Sequence, residues 1–146
     1  SIYKRSIEQK RIVENRFELI KTDKPASRVN SLRRWFSEGF IKNNKEIYKQ
    51  IYTTLEKNDL KSFIKAYKLF VFYEDDDEMI GNINANTLVT TGQFDVGSTT
   101  DMSKNLSDMI KNSKFEEIKN GKHLCNIECS KEYNKILEKF INISND

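Results

Sequence analysis

A histidine and an aspartate form the chain's clearest pattern of potential chemistry. His123 is the only histidine among the 146 residues, and Asp95 lies on a separate loop before it. A carboxylate beside an imidazole fixes the tautomer of the ring and stabilises its charged form, as a general base requires. Each residue follows a segment with the character of a short strand, where α/β proteins collect functional groups. Asp95 and His123 are therefore the candidate catalytic pair.

The two cysteines lie close to this histidine. His123, Cys125 and Cys129 give an H-x-C-x3-C pattern, which offers only three ligands where structural zinc normally takes four. Two cysteines also make a poor disulfide framework in a chain of this length. We therefore expect no metal and no other cofactor, and buried or free thiols in a reducing cytoplasm.

Two short strands and a helix must position the candidate pair. Thr87–Thr91 is β-branched and ends at Gly92, as a buried strand should. Phe115–Ile118 indicates a second strand, whose charges suit the edge of a sheet. The helix between them is predicted to be capped by Ser98, three residues before Asp101. With a final amphipathic helix, this order predicts a parallel, right-handed unit that brings the two functional loops side by side.

The N-terminal half is helical in pattern. Apolar residues recur at helical spacing up to about residue 73, for example at Ile47, Ile51 and Leu55. We therefore predict an α/β fold in two parts: a mainly helical region over residues 1–80, and a βαβα unit with two parallel strands over residues 81–146.

The charge is distributed unevenly. Residues 1–73 hold 17 Lys and Arg against 8 Asp and Glu, whereas residues 74–146 hold 8 against 14. The basic residues are scattered among carboxylates and apolar positions, which favours a solvated helical surface over a nucleic-acid site.

No membrane segment is predicted from the sequence. No apolar run approaches the roughly 20 residues that cross a bilayer, and Ser1–Arg5 does not lead into a signal peptide. The first residues have the pattern of a segment that starts in the middle of a helix. We expect a cytoplasmic protein without a membrane partner.

The segment around the candidate pair resembles the closing part of the α/β-hydrolases. Thr87–Asp95 is similar to their T-L-V-x-x-G-x-x-D strand and loop, and Gly121–Leu124 to their G-x-H-L element. Cys125–Glu128 resembles the start of the N-x-E-x-P-x-x-F stretch that follows the histidine in enol-lactonase and esterase branches. Arg33–Phe36 is similar to an R-W-F element in the helical cap of 3-oxoadipate enol-lactonase-like members.

This resemblance implies an incomplete α/β-hydrolase fold. It covers residues 29–141 in outline and 87–128 in detail, and it implies a triad whose order is Ser, Asp, His. Asp95 would be the acid and His123 the base. The nucleophile motif G-x-S-x-G is absent from the chain. The nearest candidate is Ser98, which has Val96 and Thr100 where that motif has glycines.

Two functions stay open at this point. In the first, the chain is the C-terminal portion of a Ser-Asp-His hydrolase for an ester or lactone, inactive alone, with Trp35 near the substrate. Its exposed sheet edge would then be covered by self-association or by the missing N-terminal part. In the second, the chain is a helical interaction module that binds a protein or nucleic acid through its basic half.

Overall fold

The structure, a computed structural model, describes residues 4–74 and 76–143. The helices are α1 (Ile7–Thr22), α2 (Lys24–Trp35), α3 (Glu38–Asn43), α4 (Lys45–Lys57), α5 (Leu60–Phe72), α6 (Asp77–Gly81), α7 (Thr100–Met109), α8 (Cys125–Glu128) and α9 (Ser130–Ile143). The strands are β1 (Thr87–Gly92) and β2 (Ser113–Ile118).

Tertiary contacts divide the chain into two units. The α/β unit consists of Ser1–Lys4, Arg34–Ser37 and Asp75–Asp146, and the helical unit of Arg5–Arg33 and Glu38–Glu74. The sequence-based boundary near residue 80 stays a prediction, because the α/β unit also includes a short segment of the N-terminal half.

The helical unit has its core between α1 and α5. Val13, Phe17 and Val71 are buried there, and the Phe17 and Tyr67 rings stack with their centroids 6.0 Å apart. The Arg5 guanidinium donates hydrogen bonds to the carbonyls of Phe70 (2.8 Å) and Val71 (3.0 Å). These bonds satisfy carbonyls that the end of a helix leaves without an intrahelical partner.

The α/β unit is built on two parallel strands. β1 and β2 pair in register from Thr87 opposite Ser113 to Gly92 opposite Ile118, and α7 connects them and packs on both. The predicted βαβα arrangement after a helical region is confirmed. β1 runs one residue beyond the predicted strand, and β2 begins two residues earlier than predicted.

The predicted cap of α7 is wrong by one residue. Thr99 is the N-cap, and its hydroxyl accepts from the Met102 N–H. Ser98 is buried instead, where its N–H donates to Asp95 Oδ1 (3.0 Å) and its carbonyl accepts from the Thr91 hydroxyl (2.5 Å). Ser and Thr are both good N-caps. Because Ser98 is held in the loop by its bonds to Asp95 and Thr91, Thr99 becomes the N-cap.

Among the described residues, the helices lack the combination of length and apolar sequence that crossing a bilayer requires.

Candidate functional site

The loops that leave β1 and β2 are fastened together by backbone hydrogen bonds. The Gln93 N–H donates to the Ile118 carbonyl (2.9 Å), and the Phe94 N–H donates to the Gly121 carbonyl (2.8 Å). The Gln93 side chain also accepts from the Asn120 N–H (3.0 Å). Because the strands are parallel, both loops lie at the same end of the sheet, and these bonds fix their separation.

Glycine at position 92 permits this close approach. A Cβ atom there would overlap the Lys122 carbonyl oxygen and lie 2.5 Å from the carbonyl oxygen of Gly121. Asn120 adopts a positive φ of 58° in the facing loop, a conformation that asparagine tolerates better than most residues. The lack of a side chain at Gly92 and the positive φ of Asn120 therefore allow the two loops to pack closely.

Asp95 is held by both of its carboxylate oxygens. Oδ1 accepts from the N–H groups of Gly97 (2.7 Å) and Ser98 (3.0 Å), and Oδ2 lies 2.7 Å from His123 Nδ1. The Asp95 side chain is only 6% exposed, whereas that of His123 is 44% exposed. The carboxylate is thus fixed and shielded, while the imidazole can reach a reactant.

The hydrogen bonds decide the charge of Asp95. Burial favours the neutral acid, but the bonds from His123, Gly97 and Ser98 outweigh it and hold the pKa of Asp95 below its ordinary value of 3.8. An ionised carboxylate is only an acceptor, so at neutral pH the Nδ1 atom of His123 must carry a proton. In the neutral imidazole this leaves the lone pair on Nε2, which is the tautomer of a general base.

Trp35 lies beside the histidine. The indole and imidazole rings have centroids 6.3 Å apart and planes inclined by 27°. The Leu124 N–H donates to the Trp35 carbonyl (3.1 Å), so the backbone also joins this segment to the histidine loop. The structure therefore brings together all three residues that the sequence analysis proposed for the site.

Glu128 completes the surroundings of the site, and sequence reasoning assigned it no role. Its carboxylate accepts from the N–H groups of Ser37 (2.9 Å) and Lys122 (3.2 Å). The available signal was its place in the N-x-E stretch after the histidine. Its partner Ser37 lies 91 positions away in the chain, beyond what local patterns predict.

The cysteines next to the site are free thiols. Burial raises the pKa of Cys125, and the nearby carboxylates of Asp95 and Glu128 raise it further. In the part of the chain that the structure describes, His, Cys, Asp and Glu form no group of three or more that could hold a metal ion.

The arrangement can accept a proton at Nε2 and stabilise the resulting imidazolium with the Asp95 carboxylate. It can therefore activate a hydroxyl or a water molecule. The sequence contains no G-x-S-x-G nucleophile motif, so the chain does not itself supply the serine of such a triad on the family's usual turn.

Solved structures of α/β-hydrolases are similar to this chain over most of its length. The enol-lactonase from Burkholderia xenovorans LB400 superposes with a TM-score of 0.82 at 19% identity, covering 90% of this chain and 50% of its own. A thermophilic esterase from Thermogutta terrifontis gives 0.81 at 18% identity, covering 100% and 54%. The bromoperoxidase from Bacillus anthracis gives 0.82 at 20% identity, covering 97% and 54%. No protein-family model and no curated protein matches the sequence.

The chain thus has part of the α/β-hydrolase fold and spans about half the length of these structures. The resemblance drawn from Thr87–Asp95 and Gly121–Leu124 is confirmed for the fold, including its likeness to enol-lactonases and esterases. At these identities the likeness shows the fold alone.

Proposed function

We propose that this chain supplies the acid and the base of a Ser-Asp-His hydrolase that acts on an ester or a lactone. Asp95 orients the imidazole of His123 and stabilises its charged form, and His123 is the general base. The observation that carries the proposal is the 2.7 Å contact between His123 Nδ1 and Asp95 Oδ2 on loops at the ends of parallel strands. The enol-lactonase and esterase among the similar structures support the substrate class.

The reaction requires groups from outside this chain. In the proposed mechanism, His123 Nε2 takes the proton of a serine hydroxyl as its oxygen attacks the ester carbonyl, and later protonates the leaving alkoxide. Backbone N–H groups must stabilise the oxyanion of the tetrahedral intermediate. We propose that the serine and these donors belong to a segment encoded in frame before Ser1 or to a separate polypeptide. Trp35 would form an aromatic wall beside the reacting carbonyl.

A chromogenic short-chain ester tests this proposal directly. The 146-residue chain alone should give no turnover above background. Turnover should appear when the chain is expressed with the preceding in-frame segment, in which we expect a G-x-S-x-G motif within about 100–150 residues, the scale of one domain.

Substitutions in that complemented protein assign the roles. His123→Ala should reduce kcat by about 10⁶-fold and Asp95→Asn by about 10⁴-fold, as in other triad hydrolases. Asp101→Asn is the matched control, because Asp101 is an exposed acid in the first turn of α7, and it should leave kcat unchanged. Full activity of the His123→Ala protein would refute the proposal.

The interaction-module alternative predicts a different result. Binding through the basic half would be tight to a polyanion and would weaken steeply as salt is added. Several basic side chains of the helical unit already face carboxylates, as in the Lys10–Glu74, Lys21–Glu18 and Arg28–Glu56 pairs. We therefore favour the hydrolase.

A further inference from the structure

Glu128 uses both carboxylate oxygens to join two separate parts of the α/β unit. The residue is half-buried at the end of α8. Oε1 accepts from the Ser37 N–H at 2.9 Å, and Oε2 accepts from the Lys122 N–H at 3.2 Å. Hydrogen bonds to an ionised acceptor are stronger than neutral ones, so one side chain ties the segment Arg34–Ser37 to the histidine loop.

The two bonds flank the contact between the aromatic rings. Ser37 lies two residues after Trp35, and Lys122 lies immediately before His123. The Leu124 N–H donates to the Trp35 carbonyl on the other side of the histidine. The indole and the imidazole are therefore attached to backbone that is fastened both before and after His123.

We propose that Glu128 is a positioning residue that holds the Trp35 indole against the His123 imidazole. The bridge places an aromatic surface beside the exposed ring of His123, whose orientation is set by its bond to Asp95. Any effect of Glu128 on catalysis rests on the proposed function. The position of Trp35 beside His123, by contrast, can be measured without a substrate.

The chain contains its own optical probe for this contact. Trp35 is the only tryptophan and His123 the only histidine, and a protonated imidazole close to an indole attracts its π electrons and quenches its emission. Trp35 emission should therefore be weaker in the unsubstituted chain than in the His123→Ala protein, and this His123-dependent difference, measured at one fixed pH, is called the emission step.

Glu128→Ala removes both acceptors. The emission step should fall by about half or more, and the amide protons of Ser37 and Lys122 should exchange about tenfold faster or more, because both bonds to a charged acceptor are lost. Glu128→Gln keeps one acceptor oxygen, so it should preserve the protection of only one of the two amides and give an intermediate step.

Glu132→Gln is the matched control. The Glu132 carboxylate accepts from the Lys119 N–H of the same loop at 3.3 Å, four residues before His123, so its loss of charge should leave the emission step intact. An equal loss of the step in this control would overturn the proposal. So would the absence of a His123-dependent step in the unsubstituted chain.

Two further outcomes are decisive. If Glu128→Ala fails to fold by circular dichroism, Glu128→Gln carries the test, and full protection of both amides in that variant would refute the bridge. A blank ester assay in the complemented protein would refute the proposed function while leaving these optical and exchange measurements intact.

Discussion

At the scale of single residues, Asp95 both holds the conformation of its own loop and orients His123. One oxygen organises its own loop through Gly97 and Ser98, and the other orients the ring of His123. Loss of this buried acceptor would leave the N–H groups of Gly97 and Ser98 unsatisfied. The same side chain is therefore needed for the fold of the loop and for the proposed chemistry.

Asp95 should make the stability of the chain sensitive to acid. Because its pKa in the folded state lies below the ordinary value of 3.8, the unfolded chain binds the proton more readily. The stabilisation is complete above that ordinary value and is lost as the pH falls through the folded-state pKa. Asp95→Asn should lower the free energy of unfolding by about 1–3 kcal/mol at neutral pH, and by less in acid.

Urea unfolding of both proteins, at neutral pH and below pH 3.8, measures this difference. Asp101→Asn again serves as the exposed control. A gap between the unsubstituted chain and Asp95→Asn that stays constant down to the lowest pH would contradict the assignment.

At the scale of elements, backbone atoms hold the site together. The loops after β1 and β2 exchange hydrogen bonds through Gln93, Phe94 and their partners, and Gly92 lets the second loop pass directly over the end of β1. An added Cβ at Gly92 cannot be accommodated unless these loops move apart.

Gly92→Ala should therefore be strongly destabilising. The new Cβ meets backbone oxygens of Gly121 and Lys122 rather than a flexible side chain, so we expect a loss of about 3 kcal/mol or more, at or above the usual cost of overpacking. Gly81→Ala is the control, since a Cβ there has no neighbour within 4 Å. Thermal unfolding should separate the two variants clearly, and equal melting temperatures would show that the loop can move away.

Some features of these elements could be predicted from the sequence alone, and others could not. A β-branched run closed by Gly92 predicts β1, and parallel strands with short loops predict that Asp95 meets His123. The role of Ser98 was not predictable, because a buried loop residue and a helix cap share the same side chain. Nor was the Glu128 bridge, since its partner at Ser37 is distant in the chain and backbone N–H groups carry no sequence signal.

At the scale of the whole molecule, the α/β unit presents an open sheet. Among the described residues, β1 pairs only with β2. A cavity of about 250 Å³ lies at the amino ends of the strands, with Leu88, Ile136 and Phe140 in its lining. Leu137 and Ile141 of α9 are exposed as well. A parallel sheet is normally covered on both faces, so we expect another polypeptide chain to cover this surface.

We predict that the chain associates with itself at micromolar concentration when it is alone. Sedimentation should give a mass above that of the 17.2 kDa chain. Leu88→Lys places a charge on β1 beside the cavity and should shift the chain towards the monomer. Asn105→Lys adds the same charge on the exposed side of α7 and should not. A monomer in the unsubstituted chain would rule out this prediction.

The bonds between the two loops all lie inside the α/β unit. The placement of Asp95 beside His123 is thus set within this unit, and the entropy lost in ordering the two loops belongs to the folding of the unit itself. Under the proposed mechanism, a segment that carries the serine would meet a base already in place, so we expect its binding to be a docking step rather than a joint folding reaction.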